Sequence, residues 1–162
     1  MPEYEVLPLE EMDREWVARV MVERWGAEVV VAHGVVYQPH TLPGFVAFCK
    51  GERVGLVTCK VEGDACEIVT LDSMVEGAGV GTALIEAVKG YAVRAGCRRL
   101  WLITTNDNVH ALRFYQKRGF VLVAVHRDAV TLSRTIKPQI PLIGMEGIPL
   151  RDEIELEMSL KH

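Results

Sequence analysis

Leu71-Asp72-Ser73-Met74-Val75-Glu76-Gly77-Ala78-Gly79-Val80-Gly81-Thr82 is the stretch on which the reading of the chain turns. It follows a β-rich run. It leads into a segment in which Val80, Leu84, Ala87, Val88, Tyr91, Ala92 and Ala95 recur at helical spacing, so it joins a strand to the start of a long helix. Gly77, Gly79 and Gly81 let the backbone turn tightly and leave its N–H groups unshielded. The first turn of a helix carries N–H donors without intrahelical acceptors and a partial positive charge, so this junction suits a pyrophosphate. The same glycines also serve a plain tight turn. Two phosphate loops are excluded by register. The dinucleotide fingerprint G-x-G-x-x-G needs a glycine at 82 or 84, where Thr82 and Leu84 stand. The P-loop needs Lys and then Ser or Thr after its last glycine, and no lysine follows until Lys89.

The second half of the constellation begins at Leu100–Thr105, an apolar run of the kind that forms a strand buried on both faces. It leads into Asn106-Asp107-Asn108, and then Val109-His110-Ala111-Leu112-Arg113-Phe114-Tyr115-Gln116-Lys117-Arg118-Gly119-Phe120, read as a helix with Gly119 as its stop. Leu71 to Phe120 resembles the acetyl-CoA-binding core of the GNAT N-acetyltransferase superfamily. The family's loop reads Gln/Arg-x-x-Gly-x-Gly/Ala, matched by Gly79 and Gly81. Its later helix reads Asn-x-x-Ala-x-x-x-Tyr-x-x-x-Gly-Phe, matched by Asn108, Ala111, Tyr115, Gly119 and Phe120. The core covers about a third of the chain, and the element order outside it is compatible with the same fold.

The resemblance implies roles. Amides of Gly77, Ala78, Gly79, Val80, Gly81 and Thr82 hold the CoA pyrophosphate. The strand around Val69 to Leu71 pairs with the amide groups of the pantetheine arm, as an added strand does. In the family this strand and the next parallel one splay apart, and a backbone N–H near Leu71 then stabilises the oxyanion of a tetrahedral intermediate. Asn108 either touches the pantetheine or caps its helix. Tyr115 is the family's usual acid toward the departing thiolate, and a core tyrosine is the plainer alternative. Proton transfer from a phenol near pKa 10 to a thiolate near 8.5 runs uphill by roughly 2 kcal/mol, so the hydroxyl acts chiefly as a close hydrogen-bond donor. Glu76 departs from the pattern, and a carboxylate pointing inward there would repel a pyrophosphate.

An amine acceptor is mostly protonated at neutral pH and needs a base or a water path. Glu67 and Asp72, on the strand entering the loop, are the first candidates, although period 2 puts them on opposite faces unless a bulge intervenes. Either also reads as a solvated strand carboxylate. His126 is a weaker candidate. The acceptor pocket falls to residues 27–43, with His33, Tyr37 and His40, and to the Pro/Gly-rich 127–150 segment. The shortage of charge in 27–43 favours an acceptor with an apolar or aromatic body. The histidine spacing matches no common metal site, so no metal is expected.

Outward from this core, Tyr4–Leu7 reads as a short strand. Met12, Trp16, Val17, Val20, Met21 and Trp25 mark an amphipathic helix stopped by Gly26, with both tryptophans in the core. Residues 27–43 are ambiguous: Val29–Val31 looks like a strand, but His33-Gly34 and two prolines break regular structure. Phe45–Cys49, Val54–Val61 and Cys66–Met74 form an antiparallel meander through short turns. Phe120–Val125 is a strand, 127–147 is irregular, and Ile154, Leu156, Met158 and Leu160 alternate with polar residues in a last strand. The expected fold is α/β of the α+β type: a mixed, mainly antiparallel central sheet of about seven strands with helices on both faces. All of residues 1–162 form one domain, with the CoA-binding core at 66–120.

The 162 residues are 49% apolar and 25% charged, which excludes a disordered chain. Lys+Arg 18 against Asp+Glu 22 gives a net charge of −4, without the basic excess that nucleic-acid binding needs. Cys49, Cys59, Cys66 and Cys97 lack CxxC spacing. Cys59 and Cys66 lie on paired strands where a bridge is conceivable, but reduced buried thiols are expected. The start of the chain reads as no signal peptide, and no apolar run of about 20 residues suits a membrane, so a cytoplasmic protein is expected. The sequence therefore favours an acetyl-CoA-dependent N-acetyltransferase acting on a primary amine, either a small molecule or a protein N-terminus. A non-catalytic acyl-CoA-binding module of the same fold is the alternative. A homodimer through the terminal strand and the 127–150 segment is compatible with the sequence.

Overall fold

The structure, a computed structural model, describes residues 4–75 and 77–160. The expectations for Glu76 and for the first three residues lie outside the described residues. The architecture is a seven-stranded, mainly antiparallel mixed sheet with four α-helices among the described residues. The chain clusters into two compact units. One takes the chain through Val30, Gln38–Leu100 and the end from Ser159; the other takes Val31–Tyr37 and Trp101–Met158.

The first unit holds β1 (Glu5–Pro8), α1 (Arg14–Trp25), β4 (Gly44–Cys49), β5 (Glu52–Glu62), β6 (Ala65–Ser73) and α2 (Val80–Arg94). Between α1 and β4 the chain forms β2 (Val30–Ala32) and β3 (Val35–Tyr37), which belong almost wholly to the second unit. The strand order is β1-β4-β5-β6, all antiparallel. Lys50-Gly51 closes the β4–β5 hairpin with both residues at positive φ, a turn whose twist matches the flanking strands. Two bulges bend the meander. Val54 of β5 is passed over between the pairs Phe48↔Arg53 and Ala47↔Gly55, and Val69 of β6 between Thr58↔Thr70 and Cys59↔Ile68.

Helix α2 covers one face. A Cβ on Gly55 would stand 2.5 Å from Val80 Cγ1 and 2.9 Å from Leu84 Cδ1, so only glycine lets the start of α2 approach β5 this closely. The Phe45 and Tyr91 rings meet edge to face at 6.1 Å on the same side. Helix α1 covers the other face and buries Val17, Val20 and Met21. Gly26 ends it in the left-handed region at φ 80 and donates to Val22 O.

The two tryptophans of α1 do not pack in the core, contrary to expectation. Trp25 is 38% exposed, and Trp16 is half-buried beneath the Arg53 guanidinium. The Trp25 indole N–H donates to Asp72 at the rim, and the Trp16 ring meets the Arg53 guanidinium. Cys59, Cys66 and Cys97 are buried and all four thiols are free. A hydrogen bond with Cys59, followed by burial, pushes the Cys66 thiol far above the ordinary thiol range, which removes the reactive thiolate.

The second unit holds β7 (Arg99–Thr105), whose first two residues belong to the first unit, α3 (Val109–Lys117), β8 (Val121–His126), α4 (Ala129–Ile136) and β9 (Glu153–Ser159). Its strands run in the order β7-β9-β8, with β8 and β9 antiparallel. Two expectations are corrected here. His33-Gly34 does not break regular structure: with φ 42 and φ 79 it is the turn of the β2–β3 hairpin. Residues 127–147 are not wholly irregular, because α4 lies within them. That helix is rich in weak helix formers (Val130, Thr131, Ser133, Thr135), and tertiary bonds compensate. Val130 N–H donates to Arg151 O, and the Arg134 side chain donates to Ile140, Pro141 and Leu150 carbonyls.

Gly55→Ala is expected to lower stability by about 1–3 kcal/mol through overpacking against Val80 and Leu84. Urea unfolding measures this, and a neutral result would show that α2 is free to move off β5.

Candidate functional site

The Val69 bulge decides which side chains of β6 share a face. An unbroken strand would place Glu67 and Asp72 on opposite sides. The skipped residue resets the alternation, so Glu67, Thr70 and Asp72 fall on the face turned away from α2, together with Thr58 of β5. All four are buried, and the Thr58 and Thr70 hydroxyls bond each other at 2.6 Å. The bulge that sequence spacing left open is therefore present.

Asp72 is held by α1. Its carboxylate accepts from Trp25 Nε1 at 3.0 and 3.1 Å and from Arg24 Nε at 3.3 Å. Burial raises the Asp72 pKa above the usual carboxylate range, and the Trp25 and Arg24 contacts only partly offset this. Arg24 also donates to Ser73 O, so the end of β6 is clamped where the loop begins. Glu67 is 5% exposed and stands opposite Lys60 in the ladder.

Beyond β6, Met74 N–H bonds Val54 O and Ser73 Oγ bonds Val75 O. Gly77 and Gly79 then take φ 68 and φ 81, and a Cβ on either would meet nothing within 4 Å. Gly79 precedes α2 and offers no capping side chain; the first bond of the helix runs from Ala83 N–H to Gly79 O. Val80 and Gly81 are buried, while Gly77, Gly79 and Thr82 are exposed. An uncapped helix start behind two glycines that face open space fits an anionic diphosphate, which main-chain donors can approach without steric hindrance. Val69 and Leu71 are half-buried on β6 below it.

In the second unit, Asn106-Asp107-Asn108 is a set of three structural clamps. Asn106 Oδ1 accepts from the amides of Arg151 and Asp152, and its Nδ2 donates to Pro149 O. Asp107 is buried and accepts from Thr105 Oγ1 and from Met145 N–H. Asn108 Oδ1 accepts from Ala111 N–H at 3.1 Å, which realises the capping alternative for this residue. Tyr115 is 8% exposed, with its ring edge-on to Phe114 at 5.3 Å and to Phe120 at 5.4 Å. Gly119 at φ 98 turns the chain so that Phe120 N–H bonds Tyr115 O.

The β2–β3 hairpin meets residues that the sequence reading missed. His33 N–H donates to both oxygens of buried Glu153, its ring lies 5.3 Å from Trp101, and its Nε2 is 3.1 Å from Tyr37 Oη. Trp101 and Glu153 carried no motif of their own; only their strand parity could have pointed to them. His126 Nε2 lies 3.0 Å from Glu155 Oε1. Among the described residues no three His, Cys, Asp or Glu side chains form a group able to hold a metal ion. Among them, too, no helix is long and apolar enough to cross a membrane.

Comparison with known proteins identifies the class to which this fold and loop belong. Residues 9–120 match the family model "Acetyltransferase (GNAT) family". The chain is 41% identical over 150 residues to a Bacillus subtilis protein called uncharacterized protein YdhI, covering 92% of this chain and 94% of that one. Among solved structures, an IAA acetyltransferase from Bacillus cereus superposes with TM-score 0.75 at 22% identity, covering 98% of this chain and all of the other. A Bacillus subtilis acetyltransferase in complex with CoA gives TM-score 0.72 at 20% identity, with coverage of 98% and 100%. The protein belongs to the GNAT acetyltransferase family.

Because the folded-state pKa of Asp72 is raised, the native state holds its proton into a pH range where the unfolded chain has lost it. That contribution to stability is present at acid pH and is lost as pH rises from the ordinary carboxylate range through the raised value. Asp72→Asn removes this titration. Urea unfolding across pH is expected to show the variant gaining on the parent as pH rises; the opposite slope would mean that Arg24 and Trp25 outweigh burial.

Proposed function

We propose that this protein transfers the acetyl group of acetyl-CoA to a primary amine, of a small molecule or a protein N-terminus, by direct attack in a ternary complex. The observation that carries the reading is the uncapped start of α2 behind Gly77 and Gly79, both open to solvent, in a chain of the GNAT family. On this reading residues 1–162 act as one acetyltransferase domain. Its three buried free thiols suit a reducing, cytoplasmic setting.

Main-chain donors from Gly77 through Thr82 grip the pyrophosphate, and the α2 dipole favours its charge. The bulge at Val69 interrupts the regular ladder of β6; on this reading backbone groups between Val69 and Leu71 pair with the pantetheine amides and face the thioester carbonyl. Asn108 serves the cofactor indirectly, by fixing the start of α3 and with it the helix that carries Tyr115. The amine attacks the thioester carbon, the tetrahedral oxyanion collapses, and the C–S bond breaks. The electron pair leaves on the CoA sulfur, and the Tyr115 hydroxyl donates a hydrogen bond to that thiolate. Glu67 and Asp72 are the carboxylates proposed to take the ammonium proton. The Asp72 oxygens also accept from Trp25 and Arg24.

That engagement of Asp72 also favours a second reading, a non-catalytic acyl-CoA-binding module. Thiol release from acetyl-CoA with a library of amines separates the two: tight binding without acceptor-dependent release supports the module. Calorimetry that registers no heat with acetyl-CoA overturns both.

With an accepted amine, Tyr115→Phe is expected to lower turnover on the order of 10²-fold while leaving acetyl-CoA affinity nearly unchanged. Equal turnover of variant and parent across pH removes Tyr115 from the mechanism.

A further inference from the structure

Thr58 of β5 and Thr70 of β6 stand opposite each other in the ladder, on the face turned away from α2. Their hydroxyl oxygens lie 2.6 Å apart, and the two residues are 0% and 1% exposed. A hydroxyl carries one hydrogen to donate and two lone pairs to accept. The shared bond gives each oxygen a partner but uses only one of the two hydrogens. The other hydrogen reaches no acceptor among the described residues, and most of the lone pairs receive nothing. A buried donor left unmet costs more than the bond returns, and two valines of the same shape would fold as well. Threonine in both places answers a demand other than stability.

The rest of the row supplies that demand. Asp72 is the next residue of β6 on the same face, about 7 Å along the strand from Thr70. A carboxylate offers roughly four lone-pair sites. Here Trp25 Nε1 meets both oxygens and Arg24 Nε meets Oδ1, which leaves Oδ2 with room for another donor. Burial outweighs these contacts and raises the Asp72 pKa, so this carboxylate holds a proton better than an exposed aspartate does. Glu67, opposite Lys60, closes the row on the other side. Free lone pairs and a free hydrogen beside a buried carboxylate are what passing a proton onward requires.

We infer that Thr58 and Thr70 form a two-hydroxyl relay that carries the proton of the attacking ammonium to Asp72. This rests on the acetyl transfer proposed above, in which the thioester faces the backbone on either side of Thr70. An ammonium N–H bond breaks, and its proton goes to the oxygen of one hydroxyl. The hydrogen of that hydroxyl passes to the second, and the hydrogen of the second passes to Asp72. The nitrogen keeps the electron pair with which it attacks the thioester carbon. Both threonines end neutral, with the bond between them reversed.

Single-turnover kinetics with acetyl-CoA and the best amine of a panel test the relay. Thr58→Val and Thr70→Val are each expected to slow acetyl transfer on the order of 10²-fold, with KM for acetyl-CoA nearly unchanged. Thr58→Ser and Thr70→Ser, which keep the hydroxyl, are expected to restore most of the rate. The double valine variant is expected to unfold in urea at the midpoint of the parent, which separates lost transfer from lost fold. In mixtures of light and heavy water the parent rate is expected to follow a curve, because several protons move together, and the valine variants a straight line. Adding Thr70→Val to Asp72→Asn is expected to cost nothing more, since members of one relay fail together. Folded valine variants as fast as the parent overturn the inference and leave the acetyl transfer standing. A straight line for the parent, or a further loss in the Asp72→Asn background, overturns it too. A parent that releases no thiol with any amine overturns the proposed reaction and this inference with it.

Discussion

The close approach of α2 to β5 at Gly55 is the contact on which the first unit depends. The helix start cannot rest on the meander unless one residue beneath Val80 and Leu84 has no side chain, and Gly55 is that residue. Given this contact, the direction of α2 and the place where β6 ends leave the connecting loop little freedom. The glycines at 77 and 79 then absorb the remaining turn in backbone conformations that other residues adopt only with strain. The helix start is thus presented uncapped because of how the helix is seated. The open form of the loop is a consequence of packing beneath the helix.

The bulge at Val69 has a comparable reach. By shifting the alternation of β6 it places Glu67, Thr70 and Asp72 in one row. Burying such a row is unfavourable unless each member has a partner. Thr58 satisfies Thr70, and the end of α1 satisfies Asp72 through Trp25 and Arg24. This explains why the aromatic residue closing α1 lies at the rim and not in the core: its indole N–H is needed by a buried carboxylate, and the ring follows the nitrogen.

Much of the fold was legible from sequence because local pattern and tertiary demand agreed. The meander, the helix after the glycines and the stop at Gly119 each carry their own signal. Where they disagreed, the reading failed. His33-Gly34 and the two prolines read as breakers by residue type, yet the hairpin is secured from outside by a contact that sequence does not advertise: the buried carboxylate of Glu153 accepts from the His33 amide. Helix α4 was missed because its residues favour strands or caps, and long-range bonds from Arg134 and Arg151 supply what propensity lacks. In the candidate site, the glycines and the Asn-to-Phe pattern were visible, whereas the shared face of Glu67 and Asp72 depended on a bulge that no residue type announces.

The three residues Asn106, Asp107 and Asn108 show that a polar run between a strand and a helix also carries structure. A run of three polar side chains between a strand and a helix invites assignment to a ligand, and the family pattern includes its last member. Each makes bonds within the fold: Asn106 with the chain at 149–152, Asp107 with Thr105 and Met145, and Asn108 Oδ1 with the first turn of α3. Their joint effect is to fix the end of β7, the return of the chain toward β9 and the origin of α3 against one another. Tyr115 lies two turns along that helix, wedged between Phe114 and Phe120, so its ring has few alternative positions. In the proposed mechanism a phenol assists a thiolate chiefly by distance and angle, and rigidity is what this arrangement would supply there.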